Sequence, residues 1–139
     1  MQMLYLAYGS NLNLEQMAWR CPKAEPLYGL QLNGFRLIFR GVADITQDED
    51  AQINLGVFKI TDECEVALDR YEGFPELYDK MYITMDGEEF MTYQMVGHRI
   101  YPPSEGYYRS IEQGYRDFGF DTELLRKAKS HSQLRRYAA

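Results

Sequence analysis

Two short stretches of this sequence combine residue types suited to acid–base and anion chemistry. The first, Tyr8-Gly9-Ser10-Asn11, closes an apolar run over residues 3–8. Glycine at such a point permits a tight turn and a close approach of the backbone to a ligand. Successive backbone N–H groups at a turn near a helix N-terminus form a concavity that attracts anions. Ser10 and Asn11 add polar side chains. Taken alone, a Gly-Ser-Asn turn leaving a strand is more often only a turn. The second stretch centres on Glu72, in Leu68-Asp69-Arg70-Tyr71-Glu72-Gly73. Glu72 falls at the predicted end of a helix, where the negative macrodipole disfavours a carboxylate by roughly 0.3–1 kcal/mol. That field raises its pKa, and an aromatic surround of Tyr71, Phe74 and Tyr78 raises it further by desolvation. Such a carboxyl group can both take and give a proton near neutral pH. The same local features also fit an exposed glutamate at a frayed helix end.

Other chemistries find less support. Cys21 and Cys64 are the only cysteines and form no Cys-x-x-Cys pair, which argues against a structural zinc site. His98 and His131 lie far apart with no thiol or acidic cluster beside them, so no metal and no cofactor is expected. Two thiols behind an N-terminus without a secretory pattern point to a reducing, cytoplasmic setting. Asp and Glu total 21 against 15 Lys and Arg, a net charge of −6. A net-negative chain is repelled by phosphate backbones, so nucleic-acid binding is not expected. No apolar run approaches the ~18–20 residues of a membrane helix. The acidic group Asp48, Glu49 and Asp50, and the basic residues Arg126, Lys127, Lys129, Arg135 and Arg136, read as solvated surface. Tyrosines number 12. They offer apolar bodies with hydroxyl tips, fit either for core packing or for lining a small polar pocket.

The elements that must position these residues follow from pattern. With 139 residues, one domain over residues 1–139 is expected. Residues 3–8 read as a strand. Residues 13–20 read as a helix, with Asn13 as N-cap and Gln16 completing a capping box. Runs 27–32 and 35–39 flank Asn33-Gly34, a hairpin signal. Residues 43–45 and 53–60 read as further strands around a polar loop at 47–50. Residues 62–71 read as a helix capped by Asp62 and stopped by Gly73, with Val66, Leu68 and Tyr71 on its buried stripe. Runs 78–85 and 88–96 flank Asp86-Gly87, a second hairpin signal. Helices are expected over 105–118 and from Asp121 to about Lys129. Leu4, Leu6, Leu37, Phe39, Val57, Phe58, Val66 and Leu68 should share one core. This order predicts an α+β fold with a curved, largely antiparallel sheet.

Several stretches together resemble the γ-glutamylcyclotransferase-like family, which includes γ-glutamylamine cyclotransferases and AIG2-like proteins. They are Tyr5-Leu6-Ala7-Tyr8-Gly9-Ser10-Asn11-Leu12, Arg20-Cys21-Pro22, Leu55-Gly56-Val57-Phe58, Leu68 through Pro75 with Leu77-Tyr78, and Pro103-Ser104-Glu105-Gly106-Tyr107. The resemblance implies a small, barrel-like mixed sheet with a few packed helices. It implies that the Tyr8-Gly9-Ser10-Asn11 loop holds a γ-glutamyl group, that Glu72 is the general acid/base and that Tyr107 contacts substrate. The implied reaction releases 5-oxoproline and a free amine from a small γ-glutamyl amide, with no cofactor. A non-catalytic binding module on the same fold is the alternative, and removal of a γ-glutamyl protecting group is a second use of the same chemistry. Lys80 departs from the arginine many relatives carry after Tyr78, which keeps a cation but loses the bidentate fork.

Overall fold

A computed structural model describes residues 2–135 of the chain. The basic residue Arg136 lies outside the described residues. The elements are β1 (Gln2–Ala7), a 3-10 turn (Ser10–Leu12), α1 (Leu14–Arg20), β2 (Glu25–Arg40), β3 (Val42–Thr61), α2 (Asp62–Glu72), β4 (Tyr78–Met85), β5 (Glu88–Met95), α3 (Glu105–Phe118) and α4 (Glu123–Arg135). The strands form one five-stranded sheet in the order β2-β3-β1-β5-β4. All neighbours pair antiparallel except β1 and β5, which run parallel through Leu4↔Phe90 and Tyr5↔Met91. The first residues of β3 also reach the end of β5. There Met95 N–H donates to the Asp44 carboxylate at 2.8 Å and Gln94 Nε2 donates to the Ile45 carbonyl at 3.2 Å. The expected α+β class with a largely antiparallel, curved sheet is what the chain adopts.

β1 supplies the centre of the sheet, so its side chains are buried on both faces. Tyr5, Leu6, Ala7 and Tyr8 all enter the core with Leu37, Phe39, Val57, Phe58 and Leu68. Burying each large apolar side chain is worth about 1.5–3 kcal/mol. Of the expected core residues, Leu4 packs only partly buried against the core. Val66 is 54% exposed. On α2 the inward positions are Cys64 and Leu68, so Val66 and the half-exposed Tyr71 lie off the buried stripe.

The Asn33-Gly34 hairpin expectation is corrected. β2 is a single strand, and at Asn33-Gly34 its pairing shifts from Asn33↔Gln52 to Phe35↔Gln47. Gly34 takes φ +91° within this bulge. Glycine meets the backbone needs of a bulge and of a hairpin turn alike, so the dipeptide does not choose between them. The chain reverses instead at Gly41, between the pair Arg40↔Val42. The polar residues expected as a loop at 47–50 are the outward excursion of that bulge within β3. The second signal, Asp86-Gly87, does turn a hairpin, with both residues at positive φ.

Helix ends follow capping chemistry. Asn13 Oδ1 accepts from Gln16 N–H at 3.0 Å, the expected N-cap of α1. The cap of α2 is Thr61 and not Asp62, since Thr61 Oγ1 accepts from Cys64 N–H at 3.2 Å. Gly73 ends α2 in the left-handed region. The last helix continues to Arg135, beyond the expected Lys129. The expectation of two separate thiols is also corrected. Cys21, at the C-cap of α1, is paired with Cys64, in the first turn of α2, with Cα atoms 5.1 Å apart. The argument for a reducing compartment needs unpaired thiols and loses that basis. Among the described residues no helix is long and apolar enough to cross a membrane.

Candidate active site

Several separate elements converge on one pocket of about 240 Å³. β1 and the turn after it contribute Tyr5, Tyr8, Gly9, Ser10 and Asn11. The end of α2 contributes Tyr71 and Glu72, the first residues of β3 contribute Val42 and Ala43, and α3 contributes Tyr107. Leu77, Tyr78 and Tyr93 complete the wall. Every site residue named from the sequence therefore borders the same cavity. It is smaller than the ~300–1,000 Å³ common for drug-sized ligands.

The turn is built by close approach. A Cβ on Gly9 would lie 3.0 Å from the Ala43 Cβ and 3.3 Å from the Tyr107 hydroxyl. Glycine here lets the turn sit against β3 and α3. On the other side, α3 presses on the turn at Gly114, where a Cβ would meet the Leu12 backbone at 2.6 Å and Asn13 N at 2.7 Å. Hydrogen bonds fix the same contact. Asn13 Nδ2 donates to the Ser110 carbonyl at 3.2 Å, and Leu14 N–H donates to the Asp117 carboxylate at 3.0 Å. Within the 3-10 turn, Leu12 N–H donates to the Gly9 carbonyl and Asn13 N–H to the Ser10 carbonyl, both at 3.0 Å. The N–H groups of Ser10 and Asn11, in the first turn, have no intrahelical acceptor.

The tyrosines are locked by their hydroxyls. Tyr8 donates to the Tyr93 carbonyl at 2.6 Å, Tyr78 to the Ala43 carbonyl at 2.5 Å, and Tyr93 to Asp69 at 2.6 Å. Tyr5 accepts from Asn11 Nδ2 at 2.8 Å, and Tyr107 accepts from Ala43 N–H at 2.9 Å. Burial, reinforced by nearby negative charge, pushes the phenol pKa values of Tyr5, Tyr8, Tyr78, Tyr93 and Tyr107 upward. These phenols stay neutral.

Glu72 is the ionisable group they surround. Among the described residues its carboxyl forms no hydrogen bond and no ion pair. Burial pushes its pKa from 4.5 up to about 7, against a lowering pull from the Arg20 charge. The group thus sits where it can exchange a proton at neutral pH. Phe74, expected in its aromatic surround, instead lies under Lys80, whose Nζ is 4.5 Å from the ring centroid. Lys80 is paired despite lacking the guanidinium fork: its Nζ reaches Glu65 at 2.6 Å and Asp69 at 3.1 Å. Burial alone would lower its pKa, but these two carboxylates raise it. Asp69 then holds Tyr93, so the pair braces the pocket wall from behind.

Sequence reasoning missed Arg20, Tyr5, Ala43 and Tyr93 as parts of this region. Tyr5 and Tyr93 carry the general signal of tyrosine abundance, but Ala43 carries none. Among the described residues no group of three or more His, Cys, Asp or Glu converges to hold a metal ion.

Comparison with known proteins agrees with the geometry. The bovine (Bos taurus) gamma-glutamylcyclotransferase is 29% identical over 145 residues, covering 91% of this chain and 77% of the relative. The human (Homo sapiens) gamma-glutamylcyclotransferase is 29% identical over 148 residues with the same coverage. A solved structure of a gamma-glutamyl cyclotransferase superposes with a TM-score of 0.81 at 28% identity, covering 94% of this chain and 88% of that one. The model of the family described as gamma-glutamyl cyclotransferase, AIG2-like, matches residues 5–115, a span that holds every wall of the pocket. With sequence, fold and pocket in agreement over that span, the chain belongs to the gamma-glutamyl cyclotransferase, AIG2-like family.

Proposed function

We propose that this protein is a γ-glutamyl cyclotransferase, releasing 5-oxoproline and a free amine from a small γ-glutamyl amide. The observation that carries the reading is Glu72, a carboxyl without an ionic partner in a tyrosine-walled pocket, with its pKa raised to about 7. The bovine and human relatives bear the name of this activity.

A γ-glutamyl amide contains its own nucleophile, the α-amine. Its nitrogen attacks the γ-carbonyl carbon, a C–N bond forms to close a five-membered ring, and the amide C–N bond breaks. No water is consumed. Holding the substrate folded makes the attack intramolecular, which supplies much of the rate. Proton traffic remains. Glu72 takes the proton that the α-ammonium must lose and returns it to the leaving amine, so one carboxyl group serves both steps. The free N–H groups at Ser10 and Asn11 donate to the γ-glutamyl group and to the oxyanion of the tetrahedral intermediate. Tyr8 and Tyr107 wall the bound group, and Gly9 keeps the turn close enough to reach it.

Mass spectrometry of wild-type protein against a panel of γ-glutamyl amides tests the reading. Release of 5-oxoproline from a panel member, lost in Glu72→Gln, is the expected result. Binding of 5-oxoproline without release from any amide would favour a non-catalytic binding module.

A further inference from the structure

We propose that Arg20 is a positioning residue of this site: its guanidinium fixes the Ser10–Asn11 turn against the Tyr71 ring, and its unmatched charge acts on the Glu72 carboxyl. This rests on the reading of Glu72 as the acid/base group.

Arg20 is the last residue of α1, and its side chain is partly buried behind the pocket wall. Its Nη1 donates to Asn11 Oδ1 at 2.6 Å and to Ser10 Oγ at 3.4 Å, and its Nη2 donates to Gln16 Oε1 at 2.8 Å. The guanidinium carbon lies 3.8 Å from the Tyr71 ring centroid, a stacked cation–π arrangement. Ser10 Oγ lies 3.3 Å from the Tyr71 hydroxyl. One planar group thus ties together the turn after β1, the first residues of α1 and the end of α2. An ammonium could not repeat this, because the fork and the stacking both need a plane.

All hydrogen-bond acceptors of Arg20 are neutral, and among the described residues it forms no ion pair. Its charge is therefore left free to act across the pocket. Six tyrosines surround Glu72: Tyr5 from β1, Tyr8 just after it, Tyr71 from its own helix, Tyr78 from β4, Tyr93 from β5 and Tyr107 from α3. None of them is a cation. Burial drives Glu72 toward the neutral acid, and the Arg20 charge opposes it. Without that charge a smaller fraction of the carboxyl would be ionised at neutral pH and ready to take a proton from an ammonium.

The test compares Arg20→Gln and Arg20→Lys with wild type. The Glu72 carboxyl is followed by carbon-detected NMR titration, with Glu72→Gln identifying its signal, and 5-oxoproline binding is measured by calorimetry. Arg20→Gln should raise the Glu72 midpoint by roughly one pH unit. Arg20→Lys should keep most of the wild-type midpoint, because charge suffices for that effect. Both variants should bind 5-oxoproline roughly tenfold more weakly and shift the Ser10 and Asn11 amide signals, since neither spans the acceptors of the guanidinium. An unchanged midpoint in Arg20→Gln overturns the electrostatic role. Wild-type affinity and unshifted amides in Arg20→Lys overturn the positioning role. Unfolding of both variants overturns the proposal, making Arg20 a folding residue. The NMR midpoint is read without turnover, so absence of 5-oxoproline release from wild type would count against the proposed function while leaving this measurement decisive for Arg20.

Discussion

The tyrosine-lined pocket holds about 240 Å³, whereas the cleft between the β2–β3 bulge and α4 holds about 560 Å³. The larger space is the richer in charge, with Arg36, Asp48, Glu49, Asp50, Lys127 and His131 on its walls. Yet its charged side chains are paired or partly solvated, even though Arg36 Nε and His131 Nδ1 make no hydrogen bond. Arg36 Nε stands 3.2 Å from Asp48, with both side chains about a third exposed, and Gln52 Nε2 donates to Asn33 Oδ1 at 2.7 Å. Burial and the nearby Arg36 and Arg135 lower the His131 pKa, so its imidazole is neutral. In the smaller space a single carboxyl has lost most of its water and found no ionic partner. The difference teaches that neither volume nor charge density marks the chemistry here. An ionisable group held away from water and without a direct ionic partner does.

The contrast is broken most directly at Glu72. Glu72→Gln should cut 5-oxoproline release by about 10²–10⁴-fold, the usual worth of a positioned acid/base group, as read by turnover at pH 7. Asp48→Asn in the cleft should leave turnover unchanged. Gly9→Val comes next. Its side chain would collide with Ala43 and Tyr107 and intrude on the pocket, so 5-oxoproline affinity should fall by at least roughly tenfold in calorimetry. Gly114→Val attacks the support of the turn from α3, and should cost about 1–3 kcal/mol in urea unfolding by overpacking against Leu12 and Asn13.

A fourth expectation concerns the stability cost of the site itself. Glu72 has a native pKa of about 7 against an ordinary 4.5. Between these values the native state holds a proton that the unfolded chain has released, so stability falls as pH rises through this window. Glu72→Gln removes that liability. It should be more stable than wild type by about 1–3 kcal/mol at pH 8, and the advantage should vanish near pH 4. The smallest effect is expected in the cleft. Asp48→Asn should change unfolding free energy by less than about 0.5 kcal/mol, because the ion pair it removes is partly solvated.

Local chemistry made several elements legible. The Asn13 cap, the Gly73 stop and the Asp86-Gly87 turn each express a backbone need that nearby residues meet, and each stands in the fold as expected. Asn33-Gly34 shows the limit of such signals. Its positive φ is real, but a bulge uses it as well as a turn, and the pairing of β2 with distant residues of β3 decided which. Val66 shows the same limit on a helix: its apolar side chain did not determine which face of α2 met the sheet.

For the site, local features offered Glu72 and the Tyr8–Asn11 turn as candidates that an exposed glutamate at a helix end and an ordinary glycine turn fitted as well, and the family motifs raised both above those readings. The family motifs added Tyr107. Tertiary structure alone decided that these segments share a pocket with Ala43, Tyr93 and Tyr5, that Gly114 presses α3 onto the turn, and that Arg20 lies behind it. It also paired Cys21 with Cys64 across α1 and α2. The physical reason is range. Capping and turn preferences act over a few residues of chain, whereas desolvation, close approach and electrostatic bias depend on which distant residues the folded core brings within a few ångströms of one another.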